Sequence, residues 1–195
     1  MLNDRSSTLD LLKTRRSGPP RDLVDPGPNA EELETILAVA MRTPDHGKLH
    51  PWCFVHVAKD RRDHFSALLQ AAYRIDNPAP GRLEIEAVDR FARQAPELVV
   101  ALSSPTLDSK IPLWEQQLSC GAACMNLLLA THAMGYVAGL VTGWAAYSET
   151  VLAAFGAPPE RIAGFIFLGT PGAELEERLR PAFGEVVSEW EPPRR

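Results

Sequence analysis

Leu33, Ile36, Leu37, Ala40 and Met41 recur at the helical period, a spacing that predicts an amphipathic helix ended by Pro44. Asn29 and Glu32 stand where a capping pair opens such a helix. Upstream, Leu9 and Leu12 share one side of a shorter helix over Thr8–Thr14. Phe65, Leu68, Leu69 and Ala72 mark a third helix, and Val88, Phe91, Ala92 and Ala95 a fourth that stops before Pro96. Between these two, Asn77-Pro78-Ala79-Pro80-Gly81 predicts a turn. Strand patterns fall at Trp52–Ala58, Leu98–Leu102, Tyr136–Val141 and Ile162–Leu168, each rich in branched, aromatic or other apolar residues. A brief helix is expected over Glu149–Phe155. The polar tail from Gly172 carries Phe183, Val186, Val187 and Trp190 as anchors. No repeat and no linker interrupts the chain, so residues 1–195 are expected to form one α+β domain with helices outnumbering strands.

From Gln116 to Ser148 there is no Asp, Glu, Lys or Arg. Such a stretch invites a transmembrane reading, but Gln116, Gln117, Asn126, Thr131 and His132 lie within it, and Gly135 divides it. A core helix over Pro112–Met134, followed by a strand, accounts for it better. Gly135 is placed as the helix stop. Burial on most sides, part of it by a second subunit, fits this composition.

The chain of 195 residues is 45% hydrophobic and 23% charged, which is the balance of a globular protein with a substantial core. A net charge of −5 argues against a nucleic-acid partner, because phosphate-backbone binding relies on a basic surface. Three cysteines without framework spacing, and an N-terminus without a signal pattern, fit a cytoplasmic setting.

Against that acidic average, Arg15-Arg16-Ser17 places two guanidinium groups beside a hydroxyl. The planar fork of Arg matches a phosphate; the same pair could instead complement a helix C-terminus. Thr43-Pro44-Asp45-His46-Gly47-Lys48-Leu49-His50-Pro51-Trp52 leaves His46 and Lys48 on a stiffened loop, a setting suited to ligand binding. His46 and His50 stand four apart, yet Gly47 and Pro51 oppose the helix that a metal pair at this spacing needs. Cys120 and Cys124 read as small packing residues on one helix face, and Cys53 as buried strand filler. Gly139-Leu140-Val141-Thr142-Gly143-Trp144 either presents backbone N–H groups to a ligand edge or makes a tight turn. Arg178 and Arg180 could reach a phosphate from the far end of the chain. Lys59-Asp60-Arg61-Arg62 begins a surface helix.

Taken in order, these segments resemble the nitroreductase family of flavin enzymes, over nearly the whole chain from Leu11 to Trp190. They are most similar to the compact subgroup whose loop reads Pro-Asp-His. Further matching pieces are Ile111-Pro112-Leu113-Trp114-Glu115-Gln116, the run Ser119–Leu129, Gly164–Pro171 and Glu185–Trp190.

The resemblance implies a central, mostly antiparallel sheet flanked by helices, in a homodimer that binds FMN. It implies Arg15, Arg16 and Ser17 at the phosphate and ring edge, and Arg42, His46 and Lys48 as further contacts, with the Pro-Asp-His loop given by the partner subunit. Leu140, Val141 and Thr142 fall where backbone lies near the flavin ring, and Arg178 and Arg180 near the phosphate. Pro19 stands where many relatives have a basic residue, so Lys48 and Arg21 become candidates to favour the reduced flavin. The implied activity is hydride transfer from NAD(P)H, through FMN, to an electron-poor small molecule such as a nitroaromatic or quinone. A flavin-storing protein without turnover, and an O₂-dependent or dehalogenating enzyme on the same fold, are the alternatives.

Overall fold

The computed structural model describes residues 2–192. Local capping chemistry starts its first helices. Ser7 accepts from Asp10 N and opens α1 (Thr8–Thr14). Asn29 opens α2 (Ala30–Ala40) through a reciprocal box, in which its side chain accepts from Glu32 N and Glu32 accepts from Asn29 N, both at 2.9 Å. The Tyr136 hydroxyl donates to the same Glu32 carboxylate at 2.8 Å, so this cap also fixes the start of the strand after the long helix.

Five strands form one antiparallel sheet: β1 (Leu23–Val24), β2 (Trp52–His56), β3 (Glu97–Ser103), β4 (Val137–Val141) and β5 (Arg161–Pro171). The order runs β2–β3–β5, β4 pairs the other edge of β5, and β1 pairs its last residues. The sheet is covered on both faces. Leu98, Val100, Leu102, Phe165 and Phe167 pack on α3 (Arg62–Asp76), α4 (Arg82–Arg93) and α6 (Trp144–Tyr147). Val99, Ala101, Ile166, Leu168 and Ala138 pack on α2 and on α5 (Leu113–Ala133). Two-sided burial explains why β3 and β5 read as unbroken apolar runs and not as alternation. Two T-shaped contacts of Phe91, with Phe165 and Phe167, lock α4 to the sheet.

Gly135, at φ +99°, ends α5 and turns the chain into β4. Several expectations need correction. Cys53 is exposed although it shares a face with Val55, because β2 is the edge strand. The Glu149–Phe155 helix is only α7 (Glu149–Leu152), opened by Ser148. Strand β1 and helix α6 carry too few residues to show a period. The tail forms α8 (Phe183–Val186), but Phe183, Val186 and Trp190 lie exposed, so they anchor nothing within this chain. Arg62, expected on a surface, turns inward. Its guanidinium donates to the carbonyls of Val57, Ala92, Gln94 and Pro96 at 2.9–3.4 Å, and burial lowers its pKa to about 10.

Candidate functional site

Residues 15–18 run extended after α1 and are held from three directions. Arg16 N donates to Asn3 Oδ1 at 2.8 Å. The Arg16 carbonyl lies 2.9 Å from His132 Nε2, whose Nδ1 lies 2.6 Å from Leu128 O. Gly139 of β4 meets this segment so closely that a Cβ there would fall 2.3 Å from Gly18 O. Only glycine permits that approach, and it sets Arg15–Ser17 beside the strand ending at Leu140–Val141. Thr142 and Gly143 follow, and Trp144 Nε1 donates to Asp76 Oδ2 at 2.9 Å, fixing the turn. Thr142 and Gly143 also line a cleft of about 310 Å³, with Tyr73, Val88, Phe91 and Trp144.

The two arginines of this segment differ. Arg16 is buried: its Nη1 donates to Arg15 O at 2.6 Å and its Nη2 pairs with Glu177. Its Nε is the one buried side-chain nitrogen or oxygen without a partner among the described residues. Arg15 is half-buried, and its Nη1 donates to Ser17 Oγ at 3.2 Å. Among the described residues it has no carboxylate partner. Its pKa is lowered, first by burial and then by the charges of Arg180 and Arg16. Arg15, Arg16 and Ser17 thus share one held segment, and the charge of Arg180 is near enough to act on Arg15. Burial likewise lowers the pKa of His132, with its two carbonyl contacts opposing that shift.

Arg42, His46 and Lys48 belong to a different place. Their loop runs along α5, tied by Asn126 Nδ2 donating to Thr43 Oγ1 at 3.1 Å and Ser119 Oγ donating to Pro44 O at 2.6 Å. His46 Nδ1 sits 2.8 Å from Glu115 Oε2 at the start of α5. At 1.5 Å per residue, Glu115 and His132 are separated by ~25 Å of helix, so one chain does not bring His46 to Arg15, while Thr43 beside Arg42 is held at Asn126, ~9 Å along α5 from His132. Positive φ at Gly47, Lys48 and His50 gives the loop its tight shape, and Asp45 stabilises it by accepting from Leu49 N and His50 N at 3.1 and 2.9 Å. Arg42, His46 and Lys48 are exposed.

Sequence reasoning did not single out Asp45, His132 or Glu177. Asp45 had a local signal, an acidic side chain able to cap the turn that follows it. His132 and Glu177 had none, since their partners lie far away in the chain.

The chemistry of this donor set fits a phosphate. Arg15 and Arg180 are cations without carboxylates, Ser17 adds a hydroxyl, and Arg16 Nε has an unmet proton. The model of the nitroreductase family matches residues 12–170. A Haemophilus influenzae protein named "Putative NAD(P)H nitroreductase" is 38% identical over 173 residues, covering 87% of this chain and 91% of that one. The structure of a nitroreductase-like family protein from Bacillus cereus superposes with a TM-score of 0.79 at 19% identity, covering 96% of this chain and 97% of that one. That of a Bacteroides fragilis nitroreductase with bound FMN does so at 0.70 and 19%, covering 95% and 100%. By the extent of the family match and the identity of its relative, this chain belongs to the nitroreductase family.

Proposed function

We propose that the chain is a single-domain, homodimeric oxidoreductase that uses FMN to move hydride from NAD(P)H to an electron-poor small molecule such as a nitroaromatic or quinone. The observation that carries this reading is Arg15, half-buried beside Arg180 and without a carboxylate, next to the end of β4. Family membership, a relative named for NAD(P)H and a fold neighbour with bound FMN support it.

Arg15, Arg180 and Ser17 would hold the phosphate through charge-assisted hydrogen bonds. The backbone of Leu140, Val141 and Thr142 would face the ring, kept in place by the Gly18–Gly139 contact. Bound there, FMN supplies the hydride chemistry, and the protein supplies position and electrostatics. The loop with Arg42, His46 and Lys48 reaches such a site only from a second copy. Trp114, Leu118, Gly121 and Ala122 form an exposed stripe on α5, with open space over Gly121. Two copies packed antiparallel along this stripe bring the start of one α5 beside the end of the other. Closed two-fold symmetry then completes two sites at once. Cations at the ring edge would favour the reduced flavin, and the partner subunit's Lys48 is the candidate.

Purified protein tests the reading. The expected result is a yellow dimer by light scattering that releases FMN on denaturation. Released FAD, or colourless protein that does not take up added FMN, would overturn it.

A further inference from the structure

We propose that Glu177 is a positioning residue of the phosphate site: its carboxylate ties the C-terminal tail to Arg16 and thereby sets Arg178 and Arg180 beside Arg15. The inference rests on the FMN reading above, but it assigns a new task to a residue of opposite charge from the ligands.

The tail leaves the sheet at Pro171 and has three tethers among the described residues. Gly172 N donates to Asp22 O at 2.7 Å. Leu175 packs against the core cluster beside Gly18. Glu177 is the last tether. Its Oε1 meets Arg16 Nη2 and also accepts from Arg178 N at 2.8 Å. One oxygen thus joins a buried cation to the backbone of the first residue in the Arg-Leu-Arg segment. Immediately beyond, Leu179 is fully exposed, as is most of Phe183, so no side chain among the described residues packs over the tail at these two positions.

Arg16 needs this carboxylate. Its guanidinium is buried and, apart from Glu177, has only the Arg15 carbonyl as acceptor; an uncompensated buried charge is costly. Like charge on Arg180 disfavours the charged form of Arg15, so holding the two side by side costs free energy that a bound anion would offset. Glu177 offsets part of that cost. Because its own charge is spent on Arg16, it adds little repulsion toward a phosphate. Tail docking and phosphate binding therefore stabilise each other.

The test compares FMN with riboflavin, the same ring system without phosphate, on wild type, Glu177→Ala and Glu177→Gln. Glu177→Ala is expected to weaken FMN binding about tenfold, the scale of one charge-assisted bond, and to leave riboflavin affinity unchanged. Glu177→Gln keeps an oxygen for Arg178 N and should fall between. FMN should protect the Arg178–Leu179 bond from trypsin in wild type and less so in Glu177→Ala. Equal losses for both ligands, or no loss of FMN affinity, would overturn the assignment of Glu177. Wild type that binds FMN no tighter than riboflavin would instead overturn the phosphate site itself.

Discussion

Two Arg-Arg pairs fall within the described residues, Arg15-Arg16 and Arg61-Arg62, and in each the second arginine is buried. What surrounds them differs. Arg62 places its guanidinium among four backbone carbonyls that end strands and helices, so each of its three nitrogens has an acceptor. Its neighbour Arg61 is exposed and lies 3.7 Å from an equally exposed Asp60. Arg16 has one carbonyl, one carboxylate on the tail and an orphaned Nε. Its neighbour Arg15 is partly desolvated beside another cation. The first pair closes a structure; the second leaves positive charge unspent. That difference separates a structural arginine from a binding one more sharply than burial does.

The largest effect should come from Arg62→Met. It strands several carbonyls, each worth ~1–3 kcal/mol when left buried and unsatisfied, and should lower stability by about 3 kcal/mol in urea unfolding with the slope unchanged. A loss within experimental error would erase the contrast.

A smaller but more telling effect concerns the first arginine of each pair. Arg15→Ala should weaken FMN binding by roughly 1.5–3 kcal/mol, the value of a charge-assisted hydrogen bond. Arg61→Ala removes the same charge from a solvated position, where an ion pair contributes little. Titrating FMN into both apo variants at one ionic strength should show at least about a tenfold gap. Equal losses would mean that Arg15 acts through diffuse charge only.

The smallest effect concerns the His132 ring that touches the Arg16 carbonyl. Burial depresses its pKa below 6.5 in the folded protein, so the unfolded chain binds the extra proton first. Its contribution is complete above about pH 6.5 and is lost as pH falls toward the folded value, with a slope of at most about 1.4 kcal/mol per pH unit. His132→Gln should flatten stability against pH in that window, as measured by thermal unfolding. An unchanged slope would show that other groups titrate there. The lowered carboxylates Glu32 and Asp89, helped mainly by a backbone and a Ser66 hydrogen bond respectively, act at lower pH.

Much of the fold was legible because its causes are local. The Asn29–Glu32 box, the stop at Gly135 and the apolar period of α2 and α3 depend on neighbours a turn away. The Pro112–Met134 helix was readable despite its missing charge, since its polar residues and length opposed a membrane span; among the described residues no helix is long and apolar enough to cross one. β1 and α6 were missed because segments of two and four residues show no period. Cys53 was misplaced because its exposure depends on β2 being an edge.

The candidate site divides in the same way. Residue types and order along the chain determined the family, the elements and which cations were worth watching. Only the tertiary structure decided how those cations are used: that the charge of Arg180 acts on Arg15, that Arg16 is taken up by Glu177, and that the His46–Lys48 turn lies ~25 Å along α5 from His132. A guanidinium's role depends on which acceptors reach it and how much water remains. Those are properties of segments more than a hundred residues apart in the chain, so no local pattern carries them.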